Sequence, residues 1–151
     1  MVNAANQHLA GGGGVDGAIH RAGGREIMTE LSERYHGCAT GSAVITCAGR
    51  LPTRHVIHAV GPRWRDGEHG EPEQLRSAYR RAFKLAAENG AQTVVSPSIS
   101  TGIYGFPIVR AAPIAIEEAR AALAIAETPL REVTFALFSD ADLAEFESAL
   151  A

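Results

Sequence analysis

An α/β fold, its sheet covered by helices on both faces, is what this 151-residue chain predicts. Three observations carry that prediction. Short runs rich in β-branched residues alternate with longer stretches of helical periodicity. The connections between those runs are long, which requires parallel pairing for some of them. A hydrophobic share of 46% beside a charged share of 21% is the composition of a globular domain with an ordinary core. With no internal repeat and no linker, residues 1–151 read as a single domain.

The elements follow in order. From Val15 to about His36 the pattern is helical, with Ile19, Ile27 and Leu31 apolar, and it is interrupted or bent at Gly23-Gly24. Ala43 to Thr46 suits a strand, and Leu51-Pro52 turns the chain. Arg54 to Val60 reads as a second strand, stopped by Gly61-Pro62. Arg63 to Glu71 is a polar surface loop. Glu73 to Asn89 is the clearest helix, with Leu75, Tyr79, Ala82, Phe83 and Ala86 on one face and Gly90 just past its end. Thr93 to Ser96 is a third strand, running through Pro97 into a loop from Ser98 to Phe106. A helix is expected from about Ala111, where Pro113 would sit in the first turn at no cost in hydrogen bonding. Glu132 to Phe138 is a fourth strand. A last helix, capped by Ser139 or Asp140, turns Leu143, Phe146 and Leu150 inward.

A net charge of −3 argues against a nucleic-acid or anionic-membrane binder, which would carry a basic stripe. Any anionic ligand must then be held locally, by backbone amides. Cys38 and Cys47 lack metal spacing and read as free thiols of a reducing compartment. The chain opens on no apolar signal segment, so a cytoplasmic location is expected, and with it a monomer. The histidines lack the paired spacing of a metal site, so neither a metal nor a cofactor is expected.

The chemistry concentrates near the beginning. Asn3 and Asn6 precede four glycines, Gly11 to Gly14, and then come Val15, Asp16 and, four residues on, His20. An ordered glycine run is costly in entropy and marks a close backbone approach or positive φ. Gly12, Gly14 and Gly17 formally match a dinucleotide fingerprint, but the acidic residue at the end of a following strand is missing. What remains is a glycine loop entering a helix N-terminus, a site for phosphate. Asp16 would be an ordinary first-turn acid if taken alone, and Asn3 and Asn6 ordinary turn residues. His20 would share a helix face with Asp16. His55 and His58 read as strand residues on opposite faces. A second loop, with Ser100, Thr101, Gly102, Ile103 and Tyr104, also follows a strand and could turn successive N–H groups toward an anion. Together the loops suit a diphosphate. Tyr104 offers a ring to a sugar or base, whereas Phe106 reads as core.

Taken together, these motifs resemble the macrodomain family, in the branch that removes ADP-ribose from acidic side chains. The resemblance rests on Val2-Asn3-Ala4-Ala5-Asn6, on Gly11 through Arg21, and on Gly37-Cys38-x-Thr40-Gly41. It continues in Leu51-Pro52, in Val56-Ile57-His58-x-Val60-Gly61-Pro62, and in Pro97-x-Ile99 through Pro107. It implies a three-layer sandwich with a central mixed sheet, and ADP-ribose as ligand. Gly11 to Val15 and Ser100 to Tyr104 would hold the diphosphate, and Tyr104 would pack on the distal ribose. Asn3 and Asn6 would lie beside that ribose, Asn6 bonding its hydroxyls. Asp16 would orient the ribose or a water, supported by His20.

The implied reaction is metal-independent hydrolysis, either of the ester joining ribose to a Glu or Asp side chain of a protein or of acetyl from O-acetyl-ADP-ribose. Asp16 or a substrate phosphate would activate the water. A non-catalytic ADP-ribose reader is the alternative, although a reader has no need of Asp16. Members of the family begin with two further strands, the first bearing an Asp that reads adenine, and Met1-Val2 matches the tail of the second. The resemblance therefore implies a chain that is N-terminally incomplete relative to the family: either its true start lies upstream of Met1, the favoured reading, or it is a truncated product. Phe138 to Asp140 are then left as the adenine contacts.

Overall fold

The structure is a computed structural model describing residues 1–151. Its strands are β1 (Val2–Ala4), β2 (Ala43–Cys47), β3 (His55–Ala59), β4 (Thr93–Ser96) and β5 (Glu132–Phe135). Its helices are α1 (Gly14–Gly23), α2 (Arg25–Arg34), α3 (Glu71–Glu88), α4 (Ile108–Ala124) and α5 (Asp140–Leu150). β3 is central to one ladder, pairing in parallel with β1 (Val2 opposite Ile57) and antiparallel with β2 (Ile45 opposite Ile57). β4 and β5 form a parallel pair, Val94 opposite Val133, and β4 lies beside β1. The sheet is therefore mixed.

Period-two alternation in β3 divides the interior into two layers. Ile57 and Ala59 face a core built with Leu75, Tyr79 and Phe83 of α3, Ala115 and Ala119 of α4, and Phe146 of α5. Val56 and Val60 face a smaller core with Ile19 of α1 and with Ile27 and Leu31 of α2. Each fully buried Leu or Phe contributes on the order of 1.5–3 kcal/mol. Helices thus cover both faces, and the three-layer sandwich is as the sequence implied.

The expected bend at Gly23-Gly24 is a complete break. Gly24 has φ +87°, its N–H donates to His20 O, and α2 starts afresh at Arg25. Four expectations need correction. Glu71 is not part of a surface loop: it opens α3 and is buried, its carboxylate taken up by backbone amides of the preceding turn. α4 begins at Ile108 rather than near Ala111, because the Pro107 carbonyl accepts from Arg110 and Ala111 and sets the first turn. Pro113 consequently lies inside the helix, where it cannot donate to the carbonyl four residues back. The last strand ends at Phe135 rather than Phe138. One further bond, Ala136 N–H to Ser96 O, extends the pairing, and Phe138 is fully exposed. Leu143 and Leu150 are not core residues. They are 45% and 54% exposed, and Phe146 is the buried residue of α5, in contact with Phe135. Of the two candidate caps, Ser139 accepts from the Asp142 N–H at 3.1 Å.

Candidate functional site

The loops that follow β1, β3, β4 and β5 enclose a cleft of about 670 Å³ at the carboxyl edge of the strands, where open α/β sheets place ligands. Asn6, Gly11 to Asp16, Ser100 to Tyr104 and Phe138 all line it. Asn3 and His20 do not; they stand behind Asp16.

Three contacts shape the glycine loop. Gly11 and Gly14 have φ of +76° and +58°, the left-handed region that favours glycine. A methyl on Gly17 would lie 2.2 Å from the Gly12 carbonyl, so the loop crosses over α1 in direct backbone contact. Asn6 Nδ2 donates to Gly11 O at 2.9 Å, and Asn6 Oδ1 accepts from the Ala10 N–H at 3.2 Å. Both ends of that carboxamide brace the loop. No side chain caps α1, and its first intrahelical bond is Gly17 N–H to Gly13 O. The amides of Gly14, Val15 and Asp16 therefore stand at the positive end of a helix dipole.

The second loop is pinned at its root and open along its length. The Ile99 N–H donates to Tyr79 Oη at 2.9 Å, and the Phe106 N–H to Ser100 O at 2.9 Å. The amides from Ser100 to Tyr104 donate to no protein acceptor. Ser100 has φ +67°, strained for a residue with a side chain, and its buried hydroxyl has no partner, as is true of Ser98. Strain and orphaned donors together, at a cleft wall, are the marks of a ligand-holding loop. The loops meet across the cleft, where a methyl on Gly13 would sit 4.0 Å from Ile103 Cδ1.

Asp16 occupies the third position of α1 but does not cap it. Its side chain turns inward and is buried. Oδ1 accepts from Asn3 Nδ2 at 2.9 Å and lies 3.3 Å from His20 Nε2. Oδ2 lies toward the glycine loop, 3.9 Å from where a Gly12 methyl would be. One oxygen is tied down and the other faces the cleft.

Sequence reasoning missed several residues. His58, read as a plain strand residue, is fully buried with Nδ1 3.1 Å from Asn3 Nδ2 and Nε2 2.9 Å from Thr46 Oγ1. Burial, and secondarily the neighbouring His20, lowers its pKa to about 4, so it is neutral at physiological pH. Alternation along β3 could have flagged it, since His58 shares a face with Val56 and Val60. Arg63 also lines the cleft, its guanidinium 4.5 Å over the Tyr104 ring. Phe106 is core as expected, packed against Trp64 at 4.7 Å.

Asp66, His69 and Glu71 are the one group of potential metal ligands within mutual reach. Glu71 already accepts four backbone N–H bonds, from Arg65, Asp66, Gly67 and His69, and His69 Nδ1 is spent on Asp66. These groups staple a loop. No helix is long and apolar enough to cross a membrane.

The fold and cleft define an α/β sandwich domain that presents two amide-lined loops to an anion at the edge of its sheet. The chain belongs to the Macro domain family, whose model matches residues 2–115. It is 53% identical over 151 residues to a macro domain-containing protein of Chlorobaculum tepidum, covering 100% of this chain and 87% of that one. Over 120 residues it is 58% identical to a protein of Pantoea vagans named O-acetyl-ADP-ribose deacetylase 2, covering 78% of this chain and 70% of that one. Among solved structures, a mutant Oceanobacillus iheyensis macrodomain with ADPR superposes with TM-score 0.88 at 38% identity, over 99% of this chain and 82% of that one. The Trypanosoma brucei macrodomain in complex with ADP-ribose superposes with TM-score 0.87 at 38% identity, over 99% and 62%.

Proposed function

We propose that this protein binds ADP-ribose in the strand-edge cleft and hydrolyses an ester on its distal ribose. The substrate is a Glu or Asp side chain of an ADP-ribosylated protein, or O-acetyl-ADP-ribose. Relatives that carry a deacetylase name, and neighbours solved with ADP-ribose, support the ligand and the reaction class. The diphosphate lies between the amides at the start of α1 and those of Ser100 to Tyr104, where backbone donors hold its charge. Phe138 stands at the β5 end of the cleft and Arg63 and Tyr104 at the β3 end, so the ligand runs along the sheet edge.

The observation that carries catalysis is the pose of Asp16. A reader of ADP-ribose would not need a buried carboxylate held by Asn3 with its second oxygen turned toward the glycine loop. Hydrolysis consumes one water: its oxygen bonds to one of the two carbons flanking the ester oxygen, and that carbon's bond to the ester oxygen breaks. The two water protons are shared out so that the ribose leaves with a free hydroxyl and the acyl group as a carboxylic acid. Asp16 orients the ribose or the water. Because an ester is already reactive, orientation contributes more than base strength.

The test uses protein carrying glutamate-linked ADP-ribose, with loss of label followed alongside binding of free ADP-ribose. Wild type releases the label, and Asp16→Ala slows release by about 100-fold or more while binding changes little. Label that persists on incubation with wild type, while free ADP-ribose still binds, would make the protein a reader.

A further inference from the structure

A buried polar chain runs from Asp16 away from the cleft, into the layer between the sheet and α1–α2. Asn3 of β1, Thr46 of β2 and His58 of β3 form it, at 0%, 2% and 0% exposure. Its hydrogen bonds have one self-consistent direction. Thr46 Oγ1 donates to Cys47 O at 2.8 Å, and a carbonyl can only accept, so the hydroxyl has spent its proton. Toward His58 Nε2, 2.9 Å away, Thr46 must accept. His58 is therefore the Nε2–H tautomer, and its Nδ1 offers a lone pair to Asn3 Nδ2 at 3.1 Å. One Asn3 proton goes there and the other goes to Asp16 Oδ1 at 2.9 Å. A flipped Asn3 amide would set its oxygen against the Asp16 carboxylate. Both ends of the chain thus fix the same orientation.

We infer that Thr46 and His58 are positioning residues for Asp16, fixing through Asn3 which carboxylate oxygen is tied and which faces the substrate. The inference rests on the hydrolytic reading above. Packing alone does not account for the arrangement. Three polar side chains buried between strands and helices are costly unless fully bonded, and apolar side chains of the same volume would fill the space. Here Asn3 Oδ1 is left with no partner, so the network is not optimised for satisfaction. Its gain is direction: two Asn3 protons, each with a fixed destination.

Thr46→Val is the sharpest variant, since it preserves shape and removes only the hydroxyl. His58 is then free to adopt the Nδ1–H tautomer, which presents a donor to the Asn3 donor. Turnover of the glutamate-linked substrate should fall about tenfold or more, with the Kd for ADP-ribose within about twofold of wild type. Thr46→Ser, which keeps the hydroxyl, should restore turnover. In an Asp16→Ala background Thr46→Val should cost nothing further, because a positioning residue has nothing left to position. Wild-type turnover in Thr46→Val, or an equal loss with and without Asp16, would overturn the inference. Should Thr46→Val fail to fold, nitrogen NMR of the wild-type imidazoles decides: a protonated Nδ1 on His58 overturns it and a protonated Nε2 sustains it. A wild type that binds ADP-ribose without turnover defeats the hydrolytic reading, and the positioning role with it. A wild type that turns over while Thr46→Val is unaffected defeats the positioning role alone.

Discussion

Gly61 and Ser100 meet so closely that a methyl on Gly61 would lie 2.2 Å from Ser100 Oγ and 2.5 Å from Ile99 Cγ2. The end of β3 is thereby fitted against the left-handed turn of the second amide loop. Gly61→Ala must push that turn outward. We expect it to destabilise the fold by about 1–3 kcal/mol, the usual range for overpacking, and to weaken ADP-ribose binding. Chemical denaturation and calorimetric titration measure the two effects. Adding Ser100→Gly removes one of the two clashes and the positive-φ strain, so the double variant should recover part of the stability. Unchanged binding in Gly61→Ala would mean that the turn is not part of the ligand site.

Asn6 holds the glycine loop from inside, with its donor on Gly11 O and its acceptor on the Ala10 N–H. Asn6→Ala removes both bonds, at about 1 kcal/mol each, and should lower ADP-ribose affinity by loosening the loop. Asn6→Asp is the more informative change. It keeps the acceptor, sets a carboxylate oxygen against the Gly11 carbonyl and brings negative charge to an anion-binding loop. Affinity should therefore fall further than in Asn6→Ala, and added salt should narrow the gap by screening. Asp binding as well as Asn would remove the bracing role.

The residues that are legible in sequence are those whose function sits in the local backbone. Four glycines ahead of a helix, or Gly102 and Gly105 around Tyr104, declare a loop that must approach something, and both loops line the cleft. The apolar stripe from Leu75 to Ala86 is readable because helical period and burial coincide. What sequence could not give depends on contacts between distant segments. His58 reads as any strand residue until β1 is laid beside β3 and Asn3 falls in register with it. Gly61 reads as a strand terminator until Ser100 is folded against it. Pro113 reads as the helix-opening proline until Pro107 is seen to accept the first two helical bonds and set the start of α4.

Glu71 shows how a buried acid can be structural. Its Oε2 accepts from the amides of Arg65, Asp66 and Gly67 at 3.0, 3.0 and 2.9 Å, and its Oε1 from His69 at 2.7 Å. Burial alone would raise its pKa, but these backbone bonds hold it far below the usual carboxylate range. Glu71→Gln replaces one acceptor oxygen with a donor that faces amide donors. The loop from residue 65 to 69 should become sensitive to limited proteolysis and the melting temperature should fall. Turnover measured below that temperature should stay near wild type, since Glu71 does not line the cleft. Because its pKa is depressed, the stability Glu71 contributes is present above about 4.5 and is lost as pH falls below that value.

His58 acts in a higher window. Its pKa falls from 6.5 to about 4 on folding, chiefly through burial. The unfolded chain therefore takes up a proton between those values that the folded chain refuses. Stability is whole above pH 6.5, falls as pH drops through that interval and levels off near 4. The loss from this one group is about 3 kcal/mol. Replacing the imidazole with a group that does not titrate, as in His58→Gln, should remove that slope and lower stability at pH 7 through the broken bonds to Asn3 and Thr46. Urea denaturation at half-unit steps from pH 4 to 7, for wild type and His58→Gln, measures the difference. The two curves should converge toward pH 4 and then fall together as Glu71 and the other carboxylates protonate. Parallel curves between pH 4 and 6.5 would mean that His58 titrates normally in the fold, and the single direction of the Thr46–His58–Asn3 chain would no longer hold through that range.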